Sequence, residues 1–195
     1  MRSFTFEWIF ERCVDATQHW HSFPDWLQKD QPLYWILGKP GSGKSTWMNF
    51  LVHDSRTLEE LESSGRPTNV LAFSFWEAGF ELQKSRIGLL RSLIYQLLKA
   101  IDPRKALQVW SDVVQPHIAP LPSIWTGKQL LRLLQLIAKA VDQRFCIFLD
   151  GLDEFQDDVD ASEALRALQD VFKNQSRIKM CIGRMRKFAK FPAWG

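Results

Sequence analysis

The chain has 195 residues, 46% hydrophobic and 24% charged, which excludes a disordered, collagenous or low-complexity chain and fits one globular domain. At this length roughly 70% of the unfolded surface is buried on folding, so a hydrophobic core suffices without disulfides or a structural metal. The formal charge of +3 conceals a split: all 22 acidic residues precede residue 171, while seven of the 25 Lys and Arg lie beyond it, giving −4 before that point and +7 after it.

The mildly acidic body offers no surface to support the basic end on nucleic acid, so nucleic acid is not an expected partner. No apolar run nears the ~20 residues of a membrane span. Glu7 and Glu11 interrupt the apolar start before it resembles a secretory signal, so a soluble, cytoplasmic protein is expected. Three cysteines, Cys13, Cys146 and Cys181, are odd in number and widely spaced, in keeping with a reducing compartment. They share no ligand spacing with His19, His21, His53 or His117, so no zinc site is expected, and His19 and His21 read as surface residues.

In chain order, residues 1–30 read as an N-terminal helical lead-in, 31–182 as the core and 183–195 as a basic tail. Four runs read as buried strands: Leu33 to Leu37, Val70 to Trp76, Phe145 to Leu149 and Ile178 to Ile182. Each is nearly continuous in apolar residues, the pattern of a strand covered on both faces. Between them, Ile87, Leu90, Ile94, Leu97, Leu98 and Ile101 keep helical spacing and stop before Pro103. Leu130, Leu133, Leu134, Ile137 and Val141 repeat it, as do Leu165, Leu168, Val171 and Phe172 behind Asp160-Ala161-Ser162-Glu163, which resembles a capping box. Strands alternating with helices predict an α/β fold with a parallel sheet in a three-layer α/β/α sandwich. The residues 63–67 and the segment holding Pro103, Pro116, Pro120 and Pro122 read as loops, and Trp35, Trp47 and Trp76, among nine tryptophans, read as core packing.

Directly after the first strand come Gly38, Lys39, Pro40, Gly41, Ser42, Gly43, Lys44, Ser45 and Thr46, which fit G-x-x-x-x-G-K-[ST] at every fixed position. The glycines let the backbone curl so that successive N–H groups cradle phosphate, and the helix expected from Ser45 to about His53 adds its positive dipole end. Lys44 reaches β- and γ-phosphates in such a cradle, and Ser45 supplies a hydroxyl to Mg²⁺. The third strand runs into Asp150-Gly151-Leu152-Asp153-Glu154, which puts Asp150 at the carboxyl end of a buried strand, where open α/β sheets bind ligands. Asp150 is therefore expected opposite Ser45 in the Mg²⁺ shell. Asp153 or Glu154 is expected to orient or deprotonate the attacking water, and spacing does not choose between them. The expected ligands are Mg²⁺ and a purine nucleotide, ATP or GTP.

Gly38 to Thr46, Phe75-Trp76, Leu82-Gln83-Lys84-Ser85 with Gly88-Leu89-Leu90-Arg91-Ser92-Leu93, and Asp150 to Phe155 together resemble NACHT domains. More narrowly, the chain resembles the nephrocystin-3-like N-terminal domain of many fungal STAND proteins, from about Thr5 to Ile182. The resemblance implies a P-loop NTPase switch, ADP-bound at rest and ATP- or GTP-bound when active, which couples exchange to oligomerisation and resets by slow hydrolysis. It also implies a place between an effector and sensor repeats such as ankyrin or WD40, in incompatibility or defence signalling.

Where that family continues after the fourth strand with Ser-Ser-Arg-Pro, whose Arg lies near the γ-phosphate, this chain has Gly183-Arg184-Met185-Arg186-Lys187. Arg184 and Arg186 flank the expected register without matching it. The family's fifth strand closes the sheet beside the phosphate-loop strand, and no apolar run follows Ile182 to supply it. The expectation is therefore a truncated domain with an incomplete C-terminal edge, prone to self-association or association with full-length relatives. A hydrolysis-deficient binding or interaction module is the alternative. A small-molecule phosphotransferase is weaker, since residues 103–125 hold only Arg104 and Lys105 as lid cations.

Overall fold

The computed structural model describes residues 6–11, 22–63, 65, 67–118, 124–141, 143–157, 160–172 and 178–185. Cys13, His19, His21 and the tail from Arg186 onward, including that arginine's expected place beside the site, lie outside the described residues. Four strands, β1 (Leu33–Gly38), β2 (Thr68–Ser74), β3 (Arg144–Asp150) and β4 (Ile178–Met185), form one all-parallel sheet in the order β1-β4-β3-β2. Helices cover both faces, as the continuous apolar strands require.

Alternation along the strands sends successive side chains to opposite layers. From β3, Phe145, Ile147 and Leu149 face one core, with Met180 and Ile182 of β4 and Leu71 of β2. That layer contains α5 (Arg86–Ala100), α6 (Pro103–Val109), α8 (Gly127–Ala140) and α9 (Ala161–Phe172). Cys146, Phe148 and Cys181 face the other core, with Ile36 of β1. There they meet α1 (Phe23–Gln28), α2 (Lys44–His53) and α3 (Ser55–Glu62). Fully burying each large aliphatic or aromatic side chain contributes ~1.5–3 kcal/mol, which makes these two layers the main source of stability.

Caps place the helix starts. Thr126 accepts from the Gln129 N–H while the Gln129 side chain accepts from the Thr126 N–H, a reciprocal box that opens α8. Ser85 accepts from the Gly88 N–H at the start of α5, and Asp160 from the Ser162 N–H at the start of α9.

Three local expectations change. The second strand spans Thr68–Ser74 rather than 70–76, because the Trp76 N–H turns out of the sheet to the Gln83 carbonyl (2.9 Å) and carries the chain into the short α4 (Glu81–Lys84). Trp76 is 54% exposed and so is not a core residue. The fourth strand continues past Ile182 to Met185, because Ile36, Leu37 and Gly38 remain paired with Gly183, Arg184 and Met185. Finally, residues 103–118 are helical rather than a loop: α6 passes through a π-turn (Trp110–Val114) into α7 (Gln115–Ile118). The wider turn lets the chain accept Pro116, whose ring and missing N–H are incompatible with an ordinary helix interior.

The lead-in helix is tied to the sheet by a buried lysine. The ammonium of Lys179, on β4, donates to the carbonyls of Trp26 (2.6 Å), Lys29 and Gln31 (3.3 Å), and lies 5.0 Å from the Trp26 ring centre. Burial pushes its pKa down to about 8. Lys179→Met keeps the aliphatic stem but leaves the carbonyls at the end of α1 without their donor. We expect a loss of ~2–4 kcal/mol in urea denaturation; an unchanged midpoint would show that water replaces the ammonium without cost.

Candidate functional site

β1 ends at Gly38, and the chain turns through Gly41 (φ +70°) and Gly43 (φ +80°) into α2. Both glycines hold the left-handed conformation that other residues adopt only with strain. Gly38 is required for a different reason. A Cβ there would stand 2.6 Å from Ser42 Oγ and 3.2 Å from the Lys44 side chain, which doubles back beneath the loop. The Ser42 N–H closes the turn on the Lys39 carbonyl at 3.2 Å. Lys44 Nζ donates to the carbonyls of Lys39 (2.9 Å) and Gly38 (3.5 Å), so its charge is held at the loop itself. The helix starts at Lys44, one residue before the expected start, and Trp47 makes its backbone bond to Gly43 (2.9 Å). The N–H groups of Lys44, Ser45 and Thr46 thus belong to the first turn, whose donors have no partner within a helix. Lys39, Pro40, Ser45 and Thr46 are exposed.

Asp150 ends β3. It follows Cys146 and Phe148 in the alternation, so its carboxylate lies on the α2 side of the sheet, 5% exposed. A Cβ on Gly183 would stand 2.7 Å from Asp150 Oδ1 and 3.4 Å from Met48 of α2. Gly183 therefore leaves room for the carboxylate. β1 and β3 flank β4, which places the glycine-rich loop and Asp150 two strand spacings apart, about 10 Å, on the carboxyl edge of the sheet.

The residues after Asp150 diverge. Gly151 (φ +68°) turns the chain so tightly that a Cβ would meet the Phe75 carbonyl at 2.7 Å, and a 3-10 turn (Leu152–Glu154) follows. Glu154 Oε2 accepts from the Glu77 N–H at 2.8 Å, which fixes that carboxylate against the segment after β2. Asp153 lies within electrostatic reach of Arg184, and its charge partly offsets the lowering that burial imposes on the guanidinium. Arg184 follows Met180 and Ile182 on the opposite face of the sheet, 8% exposed, its guanidinium 4.6 Å from the Trp35 ring centre. The register that puts Gly183 beside Asp150 thus turns Arg184 away from the α2 side.

The donor set fits Mg²⁺: a serine hydroxyl and a buried carboxylate are hard oxygen ligands, and Mg²⁺ takes few of these from protein when phosphate is present. Among the described residues no group of three or more His, Cys, Asp and Glu could hold a metal, so Ser45 and Asp150 would share the ion with phosphate oxygens. Burial pushes the Cys146 thiol up to about 12 and raises Cys181 as well, so neither cysteine supplies a nucleophile. No helix among the described residues is long and apolar enough to cross a membrane.

The motif reading missed two contributors. Gly183 was legible only as a glycine at the end of a buried strand, a sign of close approach. Glu77, which holds Glu154 through its backbone, carries no side-chain signal at all.

A family model for the N-terminal region of nephrocystin 3 matches residues 5–183. No curated protein matches the chain.

Proposed function

As the chain belongs to the nephrocystin 3 N-terminal family, its match spanning residues 5–183, we propose that it is a NACHT-like P-loop module that binds Mg²⁺-ATP or Mg²⁺-GTP and hydrolyses it slowly as a cytoplasmic signalling switch. The observation that carries this reading is the shared edge. The glycine loop with its folded-back Lys44 and the buried Asp150 lie on the same side of one sheet, two strands apart.

In this reading Lys44 exchanges its loop carbonyls for β- and γ-phosphate oxygens, and the first turn of α2 adds its backbone donors. Ser45 and Asp150 hold Mg²⁺, which neutralises charge developing on the phosphates. The fixed hydrogen bond from Glu77 favours Glu154 over Asp153 as the residue that orients the attacking water. Glu154→Gln is then expected to lower phosphate release about 10²-fold with affinity held within about twofold. Asp153→Asn should do less, and the opposite ranking would move the role to Asp153.

The reading as a whole is tested by calorimetric titration of ATP, GTP and their diphosphates with and without Mg²⁺, alongside phosphate release. Mg²⁺-dependent binding supports it, and a folded protein that binds none of the four would reject it. Gly183→Ala tests the metal assignment separately. Because only the Asp150 carboxylate must move, stability should change little while Mg²⁺ affinity falls about tenfold; an unchanged Mg²⁺ dependence would remove Asp150 from the shell.

One observation favours a second reading, a nucleotide-binding module without turnover. Arg184, which flanks the register of the family's arginine in sequence, lies on the sheet face away from α2. Binding with no phosphate release above a Lys44→Ala control would select that reading.

A further inference from the structure

The two carboxylate oxygens of Glu154 have different surroundings. Oε2 accepts the Glu77 N–H at 2.8 Å. Oε1 accepts no hydrogen bond among the described residues and lies beside Gly151, the residue after Asp150, where a Cβ would stand 3.6 Å from it. A carboxylate held through one oxygen keeps the lone pairs of the other for a water, and the bond restricts its otherwise broad terminal torsion.

Glu77 is itself fixed. The Gly79 N–H closes a turn on the Trp76 carbonyl (3.0 Å), with Glu77 and Ala78 between them, and the Trp76 N–H bonds the Gln83 carbonyl (2.9 Å). Across from this turn, the Phe75 N–H donates to the Asp150 carbonyl (2.9 Å) and the Gln156 N–H to the Lys84 carbonyl (2.7 Å). The Gln156 side-chain amide donates to Glu77 Oε1 at 3.3 Å. The Phe75 and Phe155 rings meet edge to face with their centres 5.4 Å apart. Residues 75–84 and 150–156 thus form one hydrogen-bonded unit, and the bond from Glu77 to Glu154 lies within it.

We propose that the segment from Phe75 to Lys84 is a positioning element for the site: the Glu77 N–H holds Glu154 through Oε2 and so presents Oε1 to the attacking water. The role rests on Glu154 orienting the water of a hydrolysed nucleotide, as proposed above. These bonds touch neither the glycine-rich loop nor the Asp150 carboxylate, so turnover and affinity are set by different segments. A misplaced base costs rate rather than binding, because its contact with the water matters chiefly in the transition state.

The experiment removes the donor alone. Glu77 is the second residue of the turn from Trp76 to Gly79, a position that proline favours in type I and II turns, and proline has no N–H. Glu77→Pro should lower phosphate release about tenfold with nucleotide affinity held within about twofold. Glu77→Ala, which keeps the N–H, should lose much less. In a Glu154→Gln background the proline should cause no further loss, a result that general damage to the loop would not give. Without nucleotide, hydrogen exchange at the Glu77 amide, followed by NMR, should quicken about tenfold in Glu154→Ala while the Phe75 amide keeps its rate. Wild-type turnover in Glu77→Pro, or the same fractional loss in both backgrounds, would overturn the positioning role alone. A Glu77 amide unprotected in the wild type would overturn it without the proline variant. Wild-type turnover in Glu154→Gln would overturn the assignment of Glu154 as well.

Discussion

Lys44→Ala is expected to weaken nucleotide affinity at least about 10²-fold while leaving the thermal unfolding midpoint within about 2 °C of wild type. Two charge-assisted hydrogen bonds to phosphate contribute ~1.5–3 kcal/mol each, and the alanine removes both. Stability should hardly respond, because among the described residues the ammonium bonds only to two carbonyls of its own loop, one of them at 3.5 Å, and it packs in neither core. The separation of the two readouts is the test. Calorimetry and a melt on the same preparation would show weak binding by a folded protein if the loop is the phosphate cradle. Unchanged affinity would place the nucleotide elsewhere, and a collapsed midpoint would make Lys44 a structural residue. Lys39→Ala, an exposed loop position, is the control and should bind within a few-fold of wild type.

Gly88→Ala has the largest expected effect on stability. Gly88 lies in the first turn of α5, where its N–H donates to the capping Ser85 hydroxyl oxygen, and a Cβ would stand 1.6 Å from the Leu82 carbonyl oxygen. That neighbour is backbone, so it moves only if α4 does, and α4 carries the Trp76–Gln83 and Gln156–Lys84 bonds that join the segment to the turn after Asp150. We expect at least ~3 kcal/mol of destabilisation, although alanine is the better helix former by about 1 kcal/mol. In a chain of this size that lowers the midpoint by roughly 6–12 °C or more. Gly65→Ala supplies the contrast. Its φ of +72° makes alanine strained, but nothing lies within 4 Å, so the cost should be only ~1 kcal/mol. A loss at Gly88 no larger than that at Gly65 would mean that the close approach to the Leu82 carbonyl is relieved at little cost.

The same contrast separates what was readable in one dimension from what was not. Val, Ile, Leu and Phe in unbroken runs demanded strands covered on two faces, and the structure has four, all parallel, between two helical layers. The glycine-rich loop and the acidic turn were legible as segments because each is a short run of fixed residue types and spacing. Element ends were less so. Trp76 reads as the last apolar residue of a strand, yet a backbone bond to Gln83, seven positions on, turns it into solvent.

By itself the sequence determined the fold class, the four strands, the helices α2, α5, α8 and α9 and the two motif segments, since hydrophobic periodicity, glycine conformations and caps act over a few residues. Only the tertiary structure decided that Asp150 shares a face with α2, that Gly183 leaves room for its carboxylate, that Glu154 is held from Glu77 and that Arg184 turns to Trp35 instead. Each of these follows from strand order and register. A parallel sheet brings together residues dozens to more than a hundred positions apart, and a shift of one residue in register sends a side chain to the opposite face.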